Sequence, residues 1–206
     1  MTVKKGKESL RRSSGALARD GQPGAAPQLD EIAAQVGAQK YPPVNQWNPE
    51  HCGDMDMRIA SDGTWFYMGT PIGRKEMVRL FSSILRHDED GKYYLVTPVE
   101  KIGIQVDDAP LVAVEVTRVG TGEEQVLTFR THVGDLVAAG PANPIRVEIN
   151  AKTGEPRPYV LVRDRLEALI NRPVFYELVE MAVPDPSGDD GIGLWSGGLF
   201  FRLGDV

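Results

Sequence analysis

Cysteine is nearly absent from this chain of 206 residues, in which Cys52 is the only one. A single cysteine excludes an intramolecular disulfide and is typical of a reducing compartment, so we expect a cytoplasmic protein. Long apolar runs are missing too. A helix that crosses a bilayer needs about 20 consecutive apolar residues, and no stretch comes near that length, which argues against a membrane protein.

Positive charge is scarce outside the N-terminal arm, which we define as residues 1–27. The arm carries six lysines and arginines against two acidic residues, whereas the rest of the chain carries 17 against 27. An acidic body argues against nucleic acid as a partner, because phosphate binding requires a positive field. The arm lacks the apolar centre of a secretory signal, and its composition predicts disorder. It is interpreted as a solvated tail, with an acidic partner as the alternative.

Known catalytic and metal-binding signatures are also missing. Residues 51–56 offer histidine, cysteine and carboxylates, but no second Cys or His pair stands nearby, so a structural corner is favoured over a zinc site. No Ser, His and Asp set has a recognisable spacing. The sequence therefore predicts no metal and no cofactor. An enzyme that uses Cys52 or His132 stays open as an alternative.

The densest stretch of the chain is residues 55–86, with the sequence MDMRIASDGTWFYMGTPIGRKEMVRLFSSILR. Asp62 and Gly63 suit the positive φ of a tight turn and predict a β-hairpin. Strand alternation then places Trp65 and Tyr67 on one face. A glycine-rich corner leads into a helix predicted over residues 74–86. Its apolar stripe would belong to the core: Met77, Leu80, Phe81, Ile84 and Leu85.

From residue 92 onward the hydrophobic period changes to two. Closely spaced strands are predicted, with turn residues between them, and indicate an antiparallel sheet that bends or closes on itself. These strands cover residues 93–96, 102–106, 111–119, 125–130, 145–150 and 157–162. A helix over 163–172, stopped by Pro173, is predicted next. Strands over 174–183 and 194–203 complete the chain.

The second half repeats the order strand, turn, strand, cation and helix. An offset of 89 residues aligns the two predicted helices and pairs Arg74 with Arg163 and Leu80 with Leu169. The match is consistent with an internal duplication. Any two units of this kind would match in pattern, so coincidence stays open on these residues alone.

Six segments in order carry a resemblance: WNPEHCGDMDMRI, DGTWFYMGTPIGRKEMVRLFSSILR, YYLVTPVEK, DDAP, PYVLVRDRLEALINR and GLWSGGLFFRLG. Together they resemble the uncharacterised bacterial family known as domain of unknown function 1285, from about Tyr41 to Gly204. The resemblance implies an α+β fold of two similar domains of antiparallel strands plus a helix, the second resembling a pleckstrin-homology-like barrel. We place the domains at residues 28–102 and 103–206. A ligand site between them, for a nucleotide-type molecule, and a signalling role are also implied.

Cations cluster where the two predicted helices begin. Arg74 and Lys75 open the first, and Arg163 opens the second. A helix N-terminus is partly positive and favours anions, so cations there predict a bound phosphate or carboxylate. The alternative is that these cations pair with carboxylates of the acidic body, such as Glu76 and Asp164.

The sequence therefore predicts a non-enzymatic binding or sensor protein that holds a small anionic, nucleotide-like ligand between two domains. Trp65 and Tyr67 would stack on a flat ring of that ligand. A protein-interaction module that docks a partner through exposed aromatics and sheet edges is the alternative. The predicted ligand-binding residues are Arg58, Trp65, Tyr67, Arg74, Lys75, Lys101, Tyr159 and Arg163.

Overall fold

The computed structural model describes Met1 and residues 41–151 and 153–205. Predictions for the N-terminal arm, and for the start of the first domain at residue 28, lie outside the described residues. The helices are α1 (Lys75–Ser83) and α2 (Arg172–Glu180), with 3-10 turns at Val44–Gln46 and Gly122–Glu124. The strands are β1 (His51–Ile59), β2 (Trp65–Tyr67), β3 (Thr70–Pro71), β4 (Leu85–His87), β5 (Tyr93–Val96), β6 (Lys101–Val106), β7 (Leu111–Val119), β8 (Val126–Thr131), β9 (Leu136–Ala138), β10 (Ile145–Ile149), β11 (Pro156–Arg163), β12 (Leu166–Ile170), β13 (Val183–Pro184), β14 (Ile192–Ser196) and β15 (Leu199–Gly204).

Two six-stranded sheets have the same topology. The first has the order β3-β2-β1-β6-β5-β4, and the second has the order β10-β11-β12-β7-β8-β9. In each, two antiparallel three-stranded meanders are joined by one parallel pair, β1 with β6 and β12 with β7. The two halves are therefore similar, which confirms the predicted duplication. The second sheet curls into a half-barrel.

The 89-residue offset is wrong. Matching strands lie 60 residues apart for β1 and β7, and 65 apart for β6 and β12. The helices do not correspond, because α1 connects the two meanders of the first half whereas α2 follows the last strand of the second sheet. The predicted division of the domains after residue 102 falls inside β6, a strand of the first sheet.

The prediction of a helix over residues 163–172 is wrong as well. Arg163 ends β11, Asp164 turns the chain with a φ of +48°, and β12 follows. Every second residue of β12 is buried, which is the period of a strand. Pro173 does not stop a helix but stands in the first turn of α2, where proline is favoured. The predicted strand over 174–183 is therefore largely this helix.

Two other elements differ from their predicted extents. Helix α1 ends at Ser83 with Ile84 as its C-cap residue, and the three residues after Ile84 form β4, which pairs with β5. Phe81, Ile84 and Leu85 are core residues, whereas the predicted stripe members Met77 and Leu80 are only partly buried. The predicted strand over 194–203 is a hairpin of β14 and β15. Its turn is formed by two glycines with positive φ, Gly197 and Gly198.

Polar contacts join the halves through what we call the Arg163 cluster, formed by Tyr41, Ser82, Asp135 and Arg163. Arg163 donates to an Asp135 carboxylate oxygen at 2.7 Å and to the carbonyl of Ser82, the last residue but one of α1. Tyr41 donates to the other oxygen of Asp135 at 2.8 Å. The cluster holds the C-terminal end of α1 against the second half. Within the described residues, neither helix is long and apolar enough to cross a membrane.

Candidate functional site

A cavity of about 290 Å³, which we call the junction cavity, lies where the two halves meet. The hairpin between β1 and β2 and the start of α1 form its wall in the first half, and the loop between β8 and β9 forms its wall in the second. The spacing of the three α1 residues, i, i+3 and i+4, puts them on one helix face. Its lining residues are Gly63, Thr64, Trp65, Ile72, Gly73, Lys75, Val78, Arg79, His132 and Val133.

Trp65 is a wall of this cavity and also a core residue. Its side chain is only 1% exposed and stacks on Phe81, with the ring centroids 6.0 Å apart. Its indole N–H is buried and has no acceptor. A buried donor that loses its water without gaining a partner costs about 1–3 kcal/mol. The structure thus tolerates an unpaired donor at the edge of the cavity.

His132 is the second wall residue with an unpaired nitrogen. The backbone N–H of Val112 donates to its Nδ1 at 3.1 Å, which makes Nδ1 the acceptor. In the neutral ring the proton therefore resides on Nε2, and this atom is buried without a partner. The ring packs on Gly63, where an added Cβ would meet Nε2 at 3.1 Å. Glycine at this turn, with a φ of +84°, thus also makes room for the imidazole.

Burial lowers the pKa of His132 below its ordinary value of 6.5, although backbone contacts with Val112 and Gly63 and the charges of Asp135 and Asp62 act to raise it. As the pH falls through 6.5, the unfolded chain binds a proton before the folded one does, so this residue makes folding less favourable. We expect the free energy of unfolding to fall between pH 7.5 and pH 5.5. The free energy of unfolding of the His132→Asn variant, whose amide oxygen can still accept a hydrogen bond from Val112, should fall less than that of the wild type over the same pH range. Urea unfolding at both pH values measures the difference, and equal losses would contradict the assignment.

The cations of this region are unpaired, which is unusual in this protein. Nine arginines of the described residues form ion pairs with carboxylates. Within the same residues, Arg74, Lys75 and Arg79 form none. Arg79 uses its Nε–H for the carbonyl of Val133 at 2.9 Å, and its Nη2 packs on Gly134. The other N–H groups of its guanidinium stay available.

The two helices differ at their first turns. In α2 the N-cap residue Asn171 accepts a hydrogen bond from the N–H of Val174 at 3.0 Å. In α1 the N-cap residue is Arg74, whose side chain makes no such bond. The backbone at Arg74 is extended, with φ −84° and ψ 104°, as a capping residue requires. Helix α1 therefore begins beside the cavity with an uncapped positive end.

The structure brings together only some of the residues predicted to bind a ligand. Trp65 and Lys75 line the junction cavity, and Arg74 precedes Lys75. Trp65 offers no free face for stacking because it is buried on Phe81, and Tyr67 is partly buried against the core. Arg163 is not at a helix start, since it belongs to the Arg163 cluster.

The remaining predicted residues lie elsewhere and have carboxylate partners. Arg58 pairs with Asp107 and lines an open cavity of about 530 Å³ on the first sheet. Lys101 pairs with Asp88, while the hydroxyl of Tyr159 donates to Asp108 at 2.8 Å. Hydrogen bonds and charges from Arg86 and Lys101 outweigh burial and hold the pKa of Asp88 below its ordinary value. These side chains are already satisfied within the fold.

Family models match nearly all of the described chain. The N-terminal domain of a domain of unknown function, DUF1285, matches residues 42–109, and the C-terminal domain of the same family matches residues 110–203. The chain belongs to the DUF1285 family. The two models of DUF1285 meet between β6 and β7, where the first sheet ends and the second begins.

Two crystal structures of DUF1285 proteins are similar to this chain. The protein from Silicibacter pomeroyi DSS-3 is 56% identical, with a TM-score of 0.81 over 86% of this chain and 95% of the other. The protein from Shewanella baltica OS155 is 28% identical, with a TM-score of 0.48 over 61% of this chain and 91% of the other. No curated protein sequence matches.

Two residues of the junction cavity, Arg79 and His132, were not among the residues predicted to bind a ligand, although His132 was a candidate of the enzyme alternative. Arg79 had a detectable signal, because it stands four residues after Lys75 on the same helix face. His132 had none, since its contact with the hairpin spans about 70 residues of sequence. Cys52, the other candidate of the enzyme alternative, is exposed, and its thiol contacts the carbonyl of Glu50 at 3.4 Å. Among the described residues, no group of histidine, cysteine and acidic side chains could hold a metal ion.

Proposed function

We propose that this DUF1285 protein is a non-catalytic binding protein that holds a small anion in the junction cavity. One observation carries the proposal. Trp65, which is 1% exposed and has a buried indole N–H without an acceptor, lines a cavity that the uncapped start of α1 also borders. An anion there would accept the unpaired hydrogen bonds and neutralise the unpaired cations.

A binding role explains features that are unfavourable in the empty protein. An uncapped first turn costs about 1 kcal/mol relative to a good cap, and Arg74 and Lys75 face the positive end of the helix dipole. Because the cavity lies between the halves, its occupant would touch both. We therefore propose a cytoplasmic sensor in which ligand binding strengthens the contact between the halves, with a role in signalling.

The size and walls of the cavity favour the anionic group over a complete nucleotide. A volume of about 290 Å³ is just below the range of about 300–1,000 Å³ that is common for drug-sized ligands. Trp65 already stacks on Phe81 and leaves no ring face for a base. A nucleotide-like ligand would place its phosphate in the cavity and its base outside.

Arg74→Asp tests the proposal by separating stability from binding. The new carboxylate should cap α1 and stabilise the free protein by about 1 kcal/mol. For a protein of this size that raises the melting temperature by roughly 2–4 °C. The same carboxylate should abolish the stabilisation of the wild type by inorganic phosphate, succinate or AMP, because it occupies the amides and repels the anion. Thermal unfolding with and without each anion measures both effects.

Arg74→Ala is the matched control, since it removes the cation without supplying a cap. We expect its free stability to stay within about 0.5 kcal/mol of the wild type and its anion response to be reduced rather than lost. The proposal fails if none of the three anions stabilises the wild type. It also fails if Arg74→Asp responds to them as the wild type does.

A further inference from the structure

The charges in the wall of the junction cavity are all of one sign. Among its ten lining residues the charged side chains are Lys75 and Arg79, and no carboxylate is present. Both cations stand on the same face of α1, one turn apart. Both residues are exposed, and a ligand with a single negative charge would pair with only one of them. A ligand with two negative charges matches the wall.

The hydrogen-bonding groups of the wall side chains are nearly all donors. Trp65 carries a buried indole N–H and His132 a buried Nε2–H, both without an acceptor, and Lys75 and Arg79 contribute charged N–H groups. Only the hydroxyl of Thr64 could also accept. These donors come from three separate elements, the hairpin, α1 and the loop between β8 and β9. A ligand with several oxygens could accept hydrogen bonds from more of these donors than a ligand with one oxygen.

The second half fixes the donors in place. Val112 holds the His132 ring through Nδ1, and the carbonyl of Val133 holds the Nε of Arg79. The Nη1 and Nη2 groups of Arg79 remain for a ligand, and a guanidinium edge binds two oxygens of one oxyanion side by side. Because burial lowers the pKa of His132, its imidazole is neutral at pH 7.5 and acts as a donor without adding a third charge.

From this cationic, donor-rich wall we infer that the ligand is a compact oxyanion with two negative charges, such as a small phosphate ester or a short dicarboxylate. The inference rests on the proposed function, which requires only that some anion binds. It adds the charge of the ligand, its oxygen-rich character and the two side chains that select it, Lys75 and Arg79.

Isothermal titration of the full chain at pH 7.5 with three probes tests the charge. Inorganic phosphate and succinate carry two negative charges or nearly so, and acetate carries one. We expect phosphate or succinate to bind at least tenfold more tightly than acetate. The stronger of the two distinguishes a phosphate ligand from a dicarboxylate.

Two neutral substitutions test the residues. Lys75→Gln and Arg79→Gln should each weaken binding of the preferred dianion by about tenfold or more, as expected for a lost hydrogen bond to a charged group. Both variants should also reduce the difference in affinity between that dianion and acetate. Lys92→Gln is the matched control, because Lys92 is exposed, forms no ion pair among the described residues and lies outside this cavity. Its affinities should equal those of the wild type.

A third variant tests the buried donor. Trp65→Phe removes the indole N–H and keeps an aromatic ring on Phe81, so it should weaken dianion binding severalfold in a protein that still unfolds cooperatively.

If acetate binds as tightly as the dianions and Lys75→Gln weakens both equally, the dianion inference is overturned while the proposed function stands. If no probe binds, both fail. Dianion binding that is unchanged in Lys75→Gln and Arg79→Gln also overturns the inference.

Discussion

Arg163→Ala is expected to lower the free energy of unfolding by about 3–5 kcal/mol. Within the Arg163 cluster the side chain of Asp135 is only 10% exposed and that of Arg163 only 16% exposed. Removing the guanidinium leaves the Asp135 carboxylate buried with a hydrogen bond from Tyr41 but without a counter-charge. It also leaves the carbonyl of Ser82 without that donor. A buried charge without a partner accounts for most of the expected loss.

Arg165→Ala provides a matched control two residues further along. Its guanidinium is 52% exposed and pairs with Glu89, whose side chain is 89% exposed. Exposed pairs of this kind contribute about 0–1 kcal/mol, so this variant should remain close to the wild type. Urea unfolding of both variants measures the difference. Similar losses in the two would show that the Arg163 cluster contributes no more than a surface ion pair.

Phe81→Ala is expected to cost about 3–5 kcal/mol of unfolding free energy. The ring of Phe81 is 1% exposed and supports the indole of Trp65 from within the core. Alanine leaves a void beneath that indole, and the neighbouring strands can close it only in part. The variant should also lose anion-induced stabilisation, because the wall of the junction cavity is no longer held in place.

Tyr176→Ala is the control for the loss of an aromatic ring from a helix. Tyr176 lies on α2, a helix of the same length as α1, and is 60% exposed. Its replacement should change stability by no more than about 0.5 kcal/mol. For both variants, chemical unfolding measures the free energy of unfolding, and thermal shifts with phosphate measure the anion-induced stabilisation. A loss below 1 kcal/mol in Phe81→Ala would contradict the core position of its ring.

Local patterns predicted the elements whose period is unambiguous. The turn at Asp62 and Gly63, helix α1 and most strands from β5 to β11 follow from turn residues and hydrophobic spacing. The segment RDRLEALINR was predicted as a helix because leucine, alanine and arginine favour one. Pairing with β11 and β7 makes its middle a strand, β12. Those partners lie on other elements, and their contribution is invisible in a short window of sequence.

The candidate site was predictable in its first half only. The cations at the start of α1 and the nearby Trp65 were identified from the sequence, since local rules place them beside one another. The burial of Trp65, the approach of His132 and the pairing of Arg163 with Asp135 depend on how the halves pack. Contacts of this kind join residues dozens of positions apart, and no spacing rule encodes them.

The order of the strands along the chain determines when the two walls of the junction cavity can come together during synthesis. All six strands of the first sheet end at or before Val106, so the first half can fold while the second is still being made. At that stage the hairpin and α1 are in place, but the loop that carries His132 has not yet docked against them. The nascent first half would therefore have a shallow, one-sided cleft in place of a binding site. If the junction cavity binds the proposed anion, binding would report that the second half has been made and has docked on the first.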